Sequence, residues 1–125
     1  MQNIITAMKK QSVRRLVITS TLSAKDPNDP LNFRAKAMVN LVKVMMRDAY
    51  EEIVSTAETV RSSDLDWTIV RLTMLNNNPK SGKVKVGYVR KGEVGLWISR
   101  ADLAEFLLRQ VQDTKYLRQA PAISN

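Results

Sequence analysis

The run Asp66-Trp67-Thr68-Ile69-Val70-Arg71 sets four consecutive aromatic or β-branched residues between the polar cluster Ser62-Ser63-Asp64 and Leu72-Thr73. Those residue types favour strands, and an apolar run without polar alternation is the mark of a strand covered on both faces. Such strands belong to parallel sheets packed between helices. An α/β fold follows if the flanking segments are helical.

The flanks fit that requirement. Ile4, Ile5 and Met8 follow Asn3, a candidate N-cap, and precede Lys9-Lys10, so residues 3–11 predict a short amphipathic helix with a basic end. Arg14-Arg15-Leu16-Val17-Ile18-Thr19-Ser20 predicts a second buried strand with two hydroxyl residues at its carboxyl end. Asp26-Pro27-Asn28-Asp29-Pro30 is turn chemistry and reads as a surface loop. Met38, Leu41, Val42, Met45, Ala49, Ile53, Ala57 and Val60 then recur at steps of three and four, the stripe of a long or broken helix whose methionines are core filler. Strand, helix and strand over residues 13–71 make a βαβ unit, which implies two parallel strands in one sheet.

Beyond it, Asn76–Gly82 is rich in turn formers, Lys83–Val89 alternates like an edge strand, and Lys91-Gly92-Glu93 is a turn. Leu96-Trp97-Ile98 is a brief apolar segment. Ser99-Arg100-Ala101-Asp102 resembles a capping box with Asp in the place of Glu. It opens a helix expected to bury Ala101, Ala104, Leu107, Leu108 and Val111, and the tail from Tyr116 to Asn125 is expected to add a last strand. Residues 1–125 read as one domain.

Composition removes whole classes of chemistry. With no cysteine and no histidine, disulfides, thiolates, imidazole bases and ordinary zinc sites are excluded, and no metal site is expected. The net charge of +8 raises nucleic acid as a partner. The basic clusters at Lys9-Lys10 and Arg14-Arg15 lack interleaved stacking aromatics and Lys80–Lys91 holds one, Tyr88, so they are read as a solvated surface rather than a nucleic-acid site. No secretory signal pattern and no run of about 20 apolar residues is visible. The expectation is a soluble, cytoplasmic protein without membrane contact.

Four motifs then occur in one order: Val13–Ser20, Leu65–Arg71, Pro79-Lys80-Ser81-Gly82 and Ile98–Ala104. Together they resemble the NAD(P)-binding Rossmann proteins of the atypical short-chain dehydrogenase type, the NmrA-like group that includes NAD(P)H-dependent flavin and biliverdin reductases. The resemblance covers only the second half of that domain. Its first half carries a glycine-rich strand-loop-helix that holds the pyrophosphate, whereas the glycines here are Gly82, Gly87, Gly92 and Gly95. The fold implied is a partial Rossmann-like parallel sheet flanked by helices, lacking the N-terminal glycine-rich βαβ half.

By that resemblance the cofactor is NADP or NAD, and this chain supplies the nicotinamide and substrate side. Thr19 and Ser20 match a hydroxyl pair after the family's fourth strand. Ser20, the candidate catalytic residue, either donates a hydrogen bond to cofactor or substrate or merely satisfies a loop amide. Leu72, Thr73, Met74 and Leu75 match the segment packed on the nicotinamide, with leucine at 72 where the family usually has proline. The Tyr-x-x-x-Lys pair of ordinary short-chain dehydrogenases is absent, since Val54 stands four residues after Tyr50. A histidine of some reductases falls near Ile53, and Glu52 and Glu58 read as solvated.

Two functions remain at this point. The chain is the nicotinamide side of an NAD(P)H-dependent reductase acting on a small aromatic or flavin-like substrate, or a truncated, non-catalytic half that serves in self-association or partner binding. In either case Leu16–Thr19 would be left an apolar strand edge, and a homodimer through that edge is expected.

Overall fold

The computed structural model describes residues 1–24, 26, 29, 44, 46–88 and 93–125. Helix α1 (Gln2–Lys10) leads into strand β1 (Arg15–Thr21), and α2 (Arg47–Arg61) into β2 (Asp66–Leu72). Short strands β3 (Met74–Asn76), β4 (Lys85–Gly87) and β5 (Trp97–Ser99) follow, then α3 (Arg100–Gln112) and β6 (Ala122–Ser124).

The two strands read from the sequence pair in parallel along their whole length, Arg15 with Asp66 through Thr21 with Leu72. The main sheet runs β1-β2-β6-β4, with β6 parallel to β2 and β4 antiparallel at the far edge. β3 and β5 form a separate parallel pair. An apolar run makes the central strand: Trp67 to Arg71 is buried throughout β2. β1 differs from its expectation, because among the described residues nothing pairs with its outer side and only Leu16 is buried.

Alternation divides β1 and β2 between two cores. Leu16, Trp67 and Ile69 meet Ile5 of α1 and Ala57 and Val60 of α2 on one face. Val70 and Ile123 meet Leu103 and Phe106 of α3 on the other. Helices on both faces of a largely parallel sheet is the doubly wound arrangement expected.

Several local expectations are corrected. Met1, not Asn3, is the N-cap of α1, and Ala49 of the long stripe is exposed. Met38, Leu41, Val42 and Met45 of that stripe, Pro27, Asn28 and Pro30 of the loop, and Val89, Lys91 and Gly92 lie outside the described residues. The clearest correction is the buried face of α3. Leu103, Phe106 and Gln110 are buried, while Ala101, Ala104, Leu108 and Val111 are exposed and Leu107 is shared.

Polar anchors set that rotation. Ser99 caps α3, its hydroxyl accepting from the Asp102 amide at 3.1 Å, and Asp102 must point inward to reach its own partners. At the other end the Arg15 guanidinium donates to the Gln110 carbonyl from Nε (3.0 Å) and Nη2 (2.5 Å). It thereby satisfies a carbonyl that the helix end leaves over. The helix carries two apolar stripes, and its pinned ends choose between them.

Candidate functional site

Ligands of open α/β sheets bind outside the carboxyl ends of the strands, so the ends of β1 and β2 are the place to look. Ser20 lies level with Arg71 and Thr21 with Leu72. Val17 packs toward α3 and Ile18 toward α1 and α2. By alternation Thr19 turns to the α3 side and Ser20 to the other, so their side chains diverge. Ser20 is half-buried, and its hydroxyl makes no hydrogen bond among the described residues. The loop amide of Ser23 is taken by its neighbour, Thr21 Oγ1 accepting from it at 3.2 Å.

Residues 72–75 divide in the same way. Leu72 packs against the α3-side core. Thr73 is buried, and its hydroxyl donates to the Ile123 carbonyl at 3.0 Å. Those two side chains are committed to the fold. Met74 and Leu75 are exposed on β3, and Met74 sits in register with Trp97 of β5. Met74 is 51% and Trp97 49% exposed, which makes this pair an open apolar surface.

Beside Trp97 lies a shallow cleft lined by Asn76, Asn78, Pro79, Ser81, Ser99 and Asn125. It is held from behind by Asp102. The buried carboxylate accepts from the Ser81 amide (3.0 Å) and hydroxyl (3.1 Å), the Gly82 amide (2.8 Å), the Ser99 hydroxyl (2.6 Å) and Asn125 Nδ2 (2.6 Å). Hydrogen bonds from the Ser81 backbone, then Ser99, hold its pKa well below the usual carboxylate range. The capping-box expectation is thus half met. The Ser99 amide donates to Asn125 Oδ1 at 2.6 Å, and Asp102 is free to fasten the loop.

In the sequence Arg71 stands at the end of the apolar run. It is fully buried, donating from Nε to the Ala120 carbonyl at 2.6 Å, from Nη2 to Asp29 Oδ1 at 2.9 Å and from Nη1 to Asp29 Oδ2. This forked pair ties the segment after β1 to the end of β2. Nearby, burial raises the pKa of the Tyr88 phenol, with Asp26 adding to the shift, and the hydroxyl donates to Gln119 Oε1 at 3.0 Å. The signal for Arg71 was a charged residue inside a two-faced apolar run. Asp102 is legible in the sequence as part of a cap, whereas its loop partners are not.

A pyrophosphate needs glycines at a strand-to-helix turn. Gly82, at φ +68°, gives its amide to Asp102, and the other glycines stand at 87, 92 and 95. Among the described residues, therefore, no glycine stands at a strand-to-helix turn where a pyrophosphate could be held. Among the described residues there is no cluster suited to a metal ion, and no helix is long and apolar enough to cross a membrane.

Comparison with known proteins bears on the same halves. The UPF0659 protein C216.03 of Schizosaccharomyces pombe is 27% identical over 108 residues, 82% of this chain and 42% of that protein. The oxidoreductase ylbE of Lactococcus lactis superposes with a TM-score of 0.70 at 18% identity, over 97% of this chain and 50% of its own. A short-chain dehydrogenase/reductase of Veillonella parvula, solved in complex with NADP, gives 0.68 at 21% identity, over 98% and 55%. ChuY of Escherichia coli O157:H7, an anaerobillin reductase, gives 0.64 at 23%, over 97% and 54%. The chain thus spans about half the length of the solved structures it matches, and they share its Rossmann-like fold. Residues 1–114 match the family described as NAD(P)H-binding, and the chain belongs to that family.

Proposed function

We propose that these residues form the nicotinamide and substrate side of an NAD(P)H-dependent reductase site in a cytoplasmic protein, with the phosphate cradle supplied by chain outside the 125 residues. The observation that carries the reading is Ser20: a half-buried hydroxyl at the carboxyl end of β1, with no partner among the described residues. A bound NAD(P)H supplies the hydride. Ser20 then donates a hydrogen bond that orients the cofactor's carboxamide or the substrate's acceptor atom. Thr19 and Thr73 act through the backbone they shape, and Met74 and Leu75 contribute apolar wall. A small aromatic or flavin-like substrate suits the exposed Met74–Trp97 surface. The isolated chain is a dimer in this reading.

Calorimetric titration with NADPH tests it. The 125-residue chain is expected to bind with a dissociation constant weaker than about 1 mM, because the pyrophosphate lacks its cradle. Micromolar binding by this chain alone would overturn the need for an outside cradle. In a protein extended by a glycine-rich strand-loop-helix, Ser20→Ala is expected to lower kcat/KM about tenfold, the loss of one transition-state hydrogen bond. An unchanged kcat/KM would remove Ser20 from the site.

A further inference from the structure

β3 and β5 pair in parallel register, Met74 with Trp97, Leu75 with Ile98 and Asn76 with Ser99, so alternation gives this two-stranded ribbon two faces. Leu75 and Ile98 share one, and Ile98 is sealed into the core beside α3. Met74, Asn76, Trp97 and Ser99 share the other, and the last three of these line the cleft already described. That cleft has a volume of about 570 Å³, within the range of small-molecule sites. Its walls come from the ribbon, the loop that follows Asn76 and the residue after β6, a strand that β2 separates from β1.

The lining defines what fits. Trp97 offers a half-exposed indole on a fixed backbone: its carbonyl accepts from the Asn125 amide at 2.8 Å, and the Leu96 carbonyl accepts from the Met74 amide at 2.9 Å. An aromatic plate held this way stacks on a flat ring at reduced entropic cost. Asn76 is half-buried, and while its Oδ1 accepts from the Asn78 amide at 3.0 Å, its Nδ2 has no partner among the described residues. The Asn78 carboxamide has none either. No charged side chain lines the cleft, and the neighbouring cations are engaged, Lys80 with Glu105 and Arg100 with Asn77. An anion would lose its hydration there without a lining charge to replace it.

We infer that this cleft binds an uncharged, flat, fused-ring heterocycle with a cyclic-amide edge, stacked on Trp97 and read by Asn76 and Asn78. The adjacent N–H and C=O of a cyclic amide match the acceptor and donor of the Asn78 carboxamide, the two-bond pairing by which asparagine reads a base edge. Asn76 Nδ2 donates to a second ring acceptor. The inference deepens the reductase reading and rests on it only in calling this ligand the substrate, since the binding itself needs no cofactor.

Lumazine, an uncharged pteridine dione at mildly acidic pH, is the probe, and its di-N-methylated analogue keeps the ring while losing the amide N–H. Amide-correlation NMR of the 125-residue chain reads the Trp97 indole and the Asn76 and Asn78 side chains directly. The buried Trp67 indole is the internal reference. Lumazine is expected to shift the Trp97 and Asn78 signals saturably with a dissociation constant of about 100 µM, leaving Trp67 in place. The methylated ring is expected to bind about fivefold more weakly, as is lumazine to Asn78→Ala, each having lost a hydrogen bond. Trp97→Ala is expected to weaken binding at least about tenfold through lost stacking. No saturable shift up to about 2 mM lumazine, or shifts that spare Trp97, overturns the site. Equal affinity for the two rings overturns the amide edge and leaves unspecific stacking; that comparison uses wild-type protein and holds even where Trp97→Ala misfolds. NADPH is absent throughout, so a negative result strikes this ligand class and not Ser20, whose own substitution tests the reductase reading.

Discussion

Replacing Arg71 with methionine is expected to destabilise the fold by about 3 kcal/mol, the range for removing one partner of a buried ion pair. The substitution keeps most of the side chain's apolar volume, so the loss reports the guanidinium rather than a cavity. That group is fully buried and makes three hydrogen bonds, one to the Ala120 carbonyl and two to Asp29. Without it, a buried carbonyl loses its donor and a largely buried carboxylate loses its guanidinium. Urea titration measures the change. A domain of this size has only several kcal/mol in hand, so the variant is expected to be partly unfolded at 37 °C. Amide exchange should accelerate at Thr21–Ala24, since Arg71 tethers the segment that follows β1. A midpoint unchanged from wild type would mean that the fork contributes nothing net, as for an exposed pair.

What the sequence made legible was what local pattern controls. The run at residues 66–71 reported its own burial, because a strand between two helix layers must be apolar on both faces, and β2 is buried from Trp67 to Arg71. The parallel pairing followed from the intervening helix. The buried face of α3 was not legible, because Leu103, Phe106 and Leu107 form one helical stripe and Ala104, Leu108 and Val111 another. Nothing in the helix ranks them. The choice is made by Arg15, nearly a hundred residues upstream, and by Asp102 reaching Ser81 and Asn125. The site divides along the same line. The place of Ser20 at the carboxyl end of β1 was legible because a strand end is a local feature. The commitment of Leu72 and Thr73 to the core depends on α3 and β6, which only the folded chain brings to them.

Replacing Asp102 with alanine is expected to lower the melting temperature by roughly 10 °C and to loosen the wall of the Trp97 cleft. The carboxylate accepts from three separate stretches of chain: Ser81-Gly82, Ser99 at the start of α3, and Asn125. Alanine would leave those donors without their shared acceptor, two of them backbone amides. Asparagine is expected to be nearly as harmful, since its amide nitrogen must face a donor and its remaining oxygen is neutral. The pH dependence has a definite sign. Asp102 has a folded-state pKa depressed below its ordinary value of 3.8, so its contribution to stability is complete above about pH 5 and is lost as the pH falls through the folded value. Wild-type protein should therefore lose stability steadily below about pH 4, and Asp102→Asn should flatten that limb while starting from a lower midpoint. Thermal melts of both proteins across the acid range make the comparison. Parallel curves would assign the acid sensitivity to other carboxylates and reduce Asp102 to a cap for α3.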